Sequence, residues 1–349
     1  MPSIAHGAVE RTEDPRVHDV SSLHQRLDDL FARDPAEGVT LAFVLQRAGE
    51  VVAERYGVLP ANDFEPERAL DAESTLISWS MAKSITHAAV GILVGDGVLD
   101  LAAPAPVPEW AGTEKEGITL LQLLEMRSGL HFVEDYVDGD ASNCIEMLFG
   151  GTEPSFAAYA ARQPLEHPPG TVWNYSSGTT NIVARIVGDA VHGSSGGTAD
   201  ERRASMERFL DERLFGPAGM ASATAKFDDA ATFVGSSYVY ATARDFARFG
   251  ELYRHDGVAA LGRGPRLLPE GWTDHARTQV ATDPETGLGY GRHWWLWPQF
   301  PGSLACHGYE GQFTVVVPDR EIVLVHLGKT DVEAQPALRR RLADIITAS

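Results

Sequence analysis

Three short motifs follow one another along the 349-residue chain: Ser80-Met81-Ala82-Lys83, Tyr175-Ser176-Ser177 and His307-Gly308-Tyr309-Glu310-Gly311-Gln312. The first is an S-x-x-K pair. Positions three apart on a helix share one face, so a serine hydroxyl and a lysine amine meet there without any long-range folding. Serine is a poor nucleophile until a neighbouring base takes its proton, and a neutral lysine can be that base. The chemistry on offer is attack by an activated serine.

That pair needs a helix to hold it. The run Ser80 to Val94 predicts one, with Ile85, Ala88, Ala89, Ile92 and Leu93 on one side and stop signals at Gly95 and Gly97. Ser80 then sits at a helix N-terminus, where backbone N–H groups and the helix dipole favour developing negative charge.

Further elements read from the same pattern. Val20 to Ala32 predicts an amphipathic helix, and Val39 to Leu45 with Val51 to Tyr56 predicts a hairpin. A Pro-rich stretch, Ala102 to Trp110, marks a break. Capping-box pairs at Thr119/Gln122 and Thr242/Asp245 open helices, the second running through Tyr253. Ser155 to Arg162, Thr179 to Val191 and Arg202 to Leu214 also read as helical. Ser303 to His307, Gln312 to Val317 and Glu321 to Leu327 read as strands, and Val332 to Ala348 as a closing helix. Strands at both ends with helices between predict an α+β fold. One antiparallel sheet is built from the two termini, and a mostly helical domain is inserted. The expected boundaries are 1–100, 101–235 and 236–349. The segment Gly139 to Gly151 is left open as a lid or an interface.

Composition narrows the function. Hydrophobic content is 44%, charged content 22% and net charge −20. Nucleic acid and anionic membranes both need basic patches, so neither is an expected partner. No apolar run reaches the ~18 residues of a membrane helix, and Met1 to Asp19 carries no secretory pattern. Two cysteines, Cys144 and Cys306, form no disulfide framework. The expectation is a cytoplasmic protein with free thiols, no metal and no organic cofactor. A homodimer is compatible with the sequence.

The chain resembles the superfamily of serine β-lactamases and penicillin-binding proteins from the Val39 hairpin to the last helix. The three motifs carry the resemblance. So do the segments 118–130, Leu214-Phe215-Gly216-Pro217-Ala218-Gly219-Met220 and Ala241-Thr242-Ala243-Arg244-Asp245. Within it, Glu134-Asp135-Tyr136, Gly289-Tyr290-Gly291, Trp294-Trp295 and Gly311-Gln312 resemble the 6-aminohexanoate-dimer hydrolases and the family-VIII-type carboxylesterases. The implied fold is β-lactamase/transpeptidase-like.

The resemblance implies Ser80 as acylated nucleophile, Lys83 as general base and Tyr175 as proton relay. It implies the backbone N–H groups of Ser80 and Tyr309 as an oxyanion hole, with Gly308 letting the backbone approach closely. It gives Tyr136 a hydrogen bond donated to a scissile amide nitrogen. Ser177 bonds Lys83 or substrate, or caps a helix. His307 contacts substrate or is structural. Trp294, Trp295 and Trp297 form an aromatic cluster, of which one or two wall an acyl pocket and at least one packs in the core. Cys306 replaces the lysine of the usual Lys-Thr-Gly, which weakens recognition of a β-lactam carboxylate. The expected substrate is a small ester or amide. Short-chain esters come first, aminohexanoate-type amides second and β-lactams or D,D-peptides third. A non-catalytic binding protein on the same scaffold is the rival.

Overall fold

The computed structural model describes residues 15–62, 66–136, 141–151, 153–193 and 196–349. The hairpin forms as its pattern predicts: β1 (Val39–Arg47) and β2 (Glu50–Tyr56) are joined by Ala48 and Gly49. Both turn residues have positive φ, +50° and +84°, the backbone twist that a two-residue hairpin requires.

Six strands from the other end complete the sheet: β3 (Ala281–Thr282), β4 (Gly289–Tyr290), β5 (Trp295–Leu296), β6 (Leu304–Gly308), β7 (Gln312–Val317) and β8 (Ile322–Lys329). The order is β2-β1-β8-β7-β6-β5-β4-β3, and every neighbour is antiparallel. The two ends of the chain meet at β1 and β8, where Phe43 pairs with His326 and Val44 with Val325.

Side chains alternate along a strand, so a sheet buried on both faces needs apolar residues at every position. β7 is buried throughout. Its Phe313, Val315 and Val317 pack with Leu23, Leu27 and Leu30 of α1 (Pro15–Phe31) and with Leu338, Leu342 and Ile345 of the closing helix, Gln335–Ala348. Val316, with Val323 and Val325 of β8, faces the opposite core. That core holds α2 (Ala82–Gly95) and the helix Ala243–Arg254.

The inserted region adds α3 (Leu120–Leu124), α4 (Asn143–Phe149), α5 (Phe156–Arg162), α6 (Ser177–His192) and α7 (Ala199–Leu210). The Thr119/Gln122 capping box forms in full. The one at Thr242 forms by half: Thr242 accepts from the Asp245 N–H, but the Asp245 carboxylate accepts from Ser222 N (2.7 Å) and Ser222 Oγ (2.6 Å). The core runs without a break from Val316 and Val323 through α2 into Ile182, Val183 and Ile186 of α6. Sheet and inserted helices therefore share one apolar interior. Among the described residues, no helix is long and apolar enough to cross a membrane.

Candidate active site

Helix α2 is not the one-sided helix that its sequence stripe suggested. Every residue from Ala82 to Leu93 is buried, Lys83 and His87 included. A helix apolar on most sides belongs in a core, and here it lies between the sheet and α6. Ser80 falls in the tight turn Trp79–Met81 that feeds α2, and the helix itself begins at Ala82, two residues after the predicted start at Ser80. The preceding Trp79 holds a left-handed φ of +44°. For a bulky side chain this costs about 1–3 kcal/mol, which surrounding contacts must offset. Trp79 donates its indole N–H to Glu310 (3.3 Å) and packs edge-on against the Tyr309 ring (5.8 Å).

Two neighbouring segments pin that turn. Leu76–Ile77 pairs antiparallel with Tyr240–Ala241, and Ser78 exchanges bonds with Val239: its N–H donates to Val239 O (2.8 Å) and its Oγ accepts from Val239 N (3.1 Å). On the other side the end of β6 crosses so near that a Cβ on Gly308 would lie 2.3 Å from Ser78 O. Gly308 has an ordinary extended backbone, so close approach, not dihedral freedom, requires glycine here.

Lys83 is 2% exposed. Its Nζ lies 2.8 Å from Ser80 Oγ, 2.8 Å from Ser177 Oγ and 3.1 Å from Ser236 O. Burial pushes its pKa below the usual lysine value, and the carboxylate of Glu134 pulls it back up. The Tyr175 ring centroid is 4.9 Å from Nζ. Burial and then the Glu134 charge raise the Tyr175 phenol, while a hydrogen bond with Ser80 lowers it. Ser176, not Ser177, caps α6: its Oγ accepts from Thr179 N (2.9 Å). That one-residue difference frees the Ser177 hydroxyl for Lys83.

Sequence reasoning gave no role to Glu134, although its motif was part of the resemblance. Its carboxylate accepts from Ser177 N (2.7 Å), Ser177 Oγ (2.5 Å) and Tyr136 Oη (2.8 Å), and lies 4.0 Å from Lys83 Nζ. The hydroxyl proton of Tyr136 therefore goes to Glu134, and the expected donation to an amide nitrogen is not available in this arrangement. The loop is anchored by Val133 N donating to Asn143 Oδ1 (2.8 Å) and Ser142 Oγ donating to Asp135 O (2.6 Å).

A cavity of about 100 Å³ opens over Ser80, lined by Trp79, Tyr136, Cys144, Ile145, Leu148, Phe149, Ser177, Ser237 and Tyr309. None of these carries a positive charge. Cys144, Ile145, Leu148 and Phe149 come from α4, so that helix of the segment Gly139 to Gly151 forms a wall of the cavity; Gly139 and Asp140 lie outside the described residues. A larger groove of about 720 Å³, along Pro104–Pro108 and beside Ile186, holds none of the candidate residues.

Four expected substrate contacts do not line this cavity, Gly308 among them, whose backbone meets Ser78 instead. Trp294 is fully buried against Tyr253 (4.4 Å) and Phe249 (5.9 Å), as a core side chain. The His307 Nε2 accepts from the Trp297 indole (2.8 Å), and its ring stacks on Trp295 (5.2 Å), so it is structural. Trp295 stands one layer back, 5.4 Å from the Tyr175 ring, and supports that ring instead of meeting a ligand in the cavity. Trp297 is buried too.

The chain is similar to several known proteins. The chain is 28% identical over 326 residues to the 6-aminohexanoate-dimer hydrolase of Paenarthrobacter ureafaciens, spanning 88% of this chain and 77% of that protein. A Bacillus anthracis structure, provisionally assigned as a 6-aminohexanoate-dimer hydrolase, superposes with a TM-score of 0.72 at 24% identity, covering 93% of this chain and 81% of the other. EstCE1, described as a hydrolase with promiscuous acyltransferase activity, superposes with a TM-score of 0.71 at 17% identity, covering 95% and 99%. Residues 27–349 match the Beta-lactamase family. The fold, the relatives and that near-complete match agree: the chain belongs to the Beta-lactamase family and is a serine hydrolase.

Proposed function

We propose that the chain hydrolyses small, uncharged carboxylic esters through an acyl-enzyme on Ser80. The observation that carries this reading is the 2.8 Å contact between Lys83 Nζ and Ser80 Oγ at the floor of an apolar cavity. Burial favours the neutral amine, which is the form a base needs. The Ser80 proton passes to Lys83 as Oγ bonds the acyl carbon and the carbonyl electron pair moves onto oxygen. The N–H groups of Ser80 and Tyr309 are assigned to that oxyanion. The oxyanion then collapses and the C–O bond to the alcohol breaks, and Tyr175, between Ser80 and the aromatic cluster, is assigned to hand its proton to the departing oxygen and take the one held on Lys83 in its place. Water then repeats the sequence and releases the acid.

The cavity supports the substrate class. A cavity of about 150 Å³ can hold a benzene ring, so about 100 Å³ admits an acyl group of about four heavy atoms. Among the described lining residues none is a cation, which argues against β-lactam and peptidoglycan carboxylates. The place of the usual lysine is taken by Cys306, which is 2% exposed. A second reading, hydrolysis of a linear secondary amide, is favoured by Tyr136 in the cavity wall and by the name of the Paenarthrobacter relative. Its two buried thiols suit a reducing compartment, and we place the protein in the cytoplasm.

The test is turnover of a p-nitrophenyl ester series by the native protein and Ser80→Ala. Turnover that vanishes in the variant supports the reading. Full activity in Ser80→Ala overturns it, and an acylation burst without steady release points to a binding protein on the same scaffold.

A further inference from the structure

We propose that Glu134 is a positioning residue of this site, one that aims the Lys83 lone pair at Ser80 and supplies the counter-charge for the ammonium formed when Ser80 is deprotonated. This rests on the reading of Ser80 and Lys83 given above.

The argument is a count of donors and acceptors. Glu134 is 8% exposed and offers only acceptors. Three donors converge on it: the Ser177 N–H, the Ser177 hydroxyl and the Tyr136 hydroxyl. The Ser177 proton is thus committed to Glu134, at 2.5 Å, and Ser177 Oγ can meet Lys83 only as an acceptor. Ser236 O, a carbonyl, also can only accept. Both N–H bonds of a neutral Lys83 are then used, toward Ser177 and Ser236. The remaining tetrahedral position, the lone pair, falls to Ser80 Oγ at 2.8 Å. Without Glu134 the Ser177 proton could turn to Lys83 and occupy that lone pair.

The charge has its own part. Burial alone would leave Lys83 a feeble base, because the ammonium it must become has no solvent. Glu134, 4.0 Å away, restores basicity without exposing the site. The other titratable groups that Lys83 senses are the Cys144 thiol, the Tyr175 phenol and the His293 imidazole. Burial holds the thiol and phenol well above their ordinary values and His293 at about 3, so near neutral pH all three are uncharged. Glu134 supplies the charge that Lys83 senses.

The experiment is the pH profile of kcat/KM for p-nitrophenyl acetate, with labelling of Ser80 by a fluorophosphonate as a check on the fold. In Glu134→Gln the acid limb moves down by roughly 1–3 pH units, the size of an opposite-charge effect at this distance. The plateau falls about tenfold or more, because one amide oxygen cannot serve three donors. Glu134→Asp keeps the acid limb of the native protein. An acid limb in Glu134→Gln that coincides with the native one overturns the proposal. If Glu134→Gln does not fold, Ser177→Ala decides. It removes the hydroxyl that links Glu134 to Lys83 and keeps the charge, so its plateau falls while its acid limb stays. A native plateau in Ser177→Ala overturns the aiming role. If the native protein neither turns over nor labels at Ser80, the serine-hydrolase assignment of these residues fails instead.

Discussion

Gly308 faces the carbonyl of Ser78 so closely that a Cβ would stand 2.3 Å from that oxygen. The end of β6 and the turn carrying Ser80 are therefore in backbone contact, and this contact sets Tyr309 beside Trp79. Gly308→Ala must push the two apart, while its extended φ of −127° leaves the dihedral itself unstrained. If the Tyr309 N–H is one of two oxyanion donors, displacing it lowers kcat for p-nitrophenyl acetate by about 10²–10³. KM should change little. A native kcat in a folded Gly308→Ala removes Tyr309 from the oxyanion role.

Tyr136 gives its proton to Glu134 at 2.8 Å, so its oxygen meets the cavity as an acceptor. An acceptor suits the N–H of a secondary amide and has nothing to offer the bridging oxygen of an ester. Tyr136→Phe should cost amide cleavage about tenfold, the worth of one hydrogen bond, and ester cleavage much less. Matched ester and anilide substrates of one acyl group make the comparison. Equal losses on both would show that the ring acts through packing alone.

What could be read from the sequence follows the distance over which each interaction is made. Ser80 and Lys83 are three positions apart, and the contact between them is local geometry. The Thr119 capping box and the Ala48-Gly49 hairpin are local too. Glu134 and Ser236 reach Lys83 only after the chain has folded across intervals of 51 and 153 residues, and no local spacing links either of them to Lys83. Trp294 and Trp295 show the same limit on a smaller scale. Adjacent residues of an extended segment point to opposite faces, so the pair could not both wall one pocket. Trp294 took the core and Trp295 the Tyr175 side. Likewise Cys306 and His307 diverge, Cys306 toward the core that holds α2 and His307 toward Phe313.

If the acyl group occupies the cavity over Ser80, the α4 wall should set its length. Ile145 and Leu148 are half-buried and face the cavity over Ser80, while Phe149 stands at its rim, 63% exposed. Across the p-nitrophenyl series, kcat/KM should peak between acetate and butyrate and fall by octanoate. Leu148→Ala opens the wall by about three methylene-sized groups, and the peak should shift toward hexanoate with little loss of fold, because the side chain is only half-buried. A profile that stays peaked at short chains in Leu148→Ala would place the acyl group elsewhere.

Acid should unfold this protein through its buried histidines. His293 donates from Nδ1 to Leu124 O (2.9 Å), and His326 from Nδ1 to Gly311 O (2.7 Å). Burial brings both down from 6.5 to about 3. Both are neutral in the fold, whereas in the unfolded chain each takes a proton below about pH 6.5. The unfolded state binds more protons, so stability rises with pH in this window. Their contribution is fully present above pH 6.5 and is lost as pH falls from there toward 3. Each residue removes up to roughly 1.4 kcal/mol per pH unit within that interval. Between pH 7 and pH 5 the urea midpoint should therefore drop steeply at constant m-value. Replacing His293 by Gln, a neutral side chain of similar reach, should cost stability at pH 7 but flatten the dependence on pH. An equally steep dependence in His293→Gln would assign the acid sensitivity to other groups.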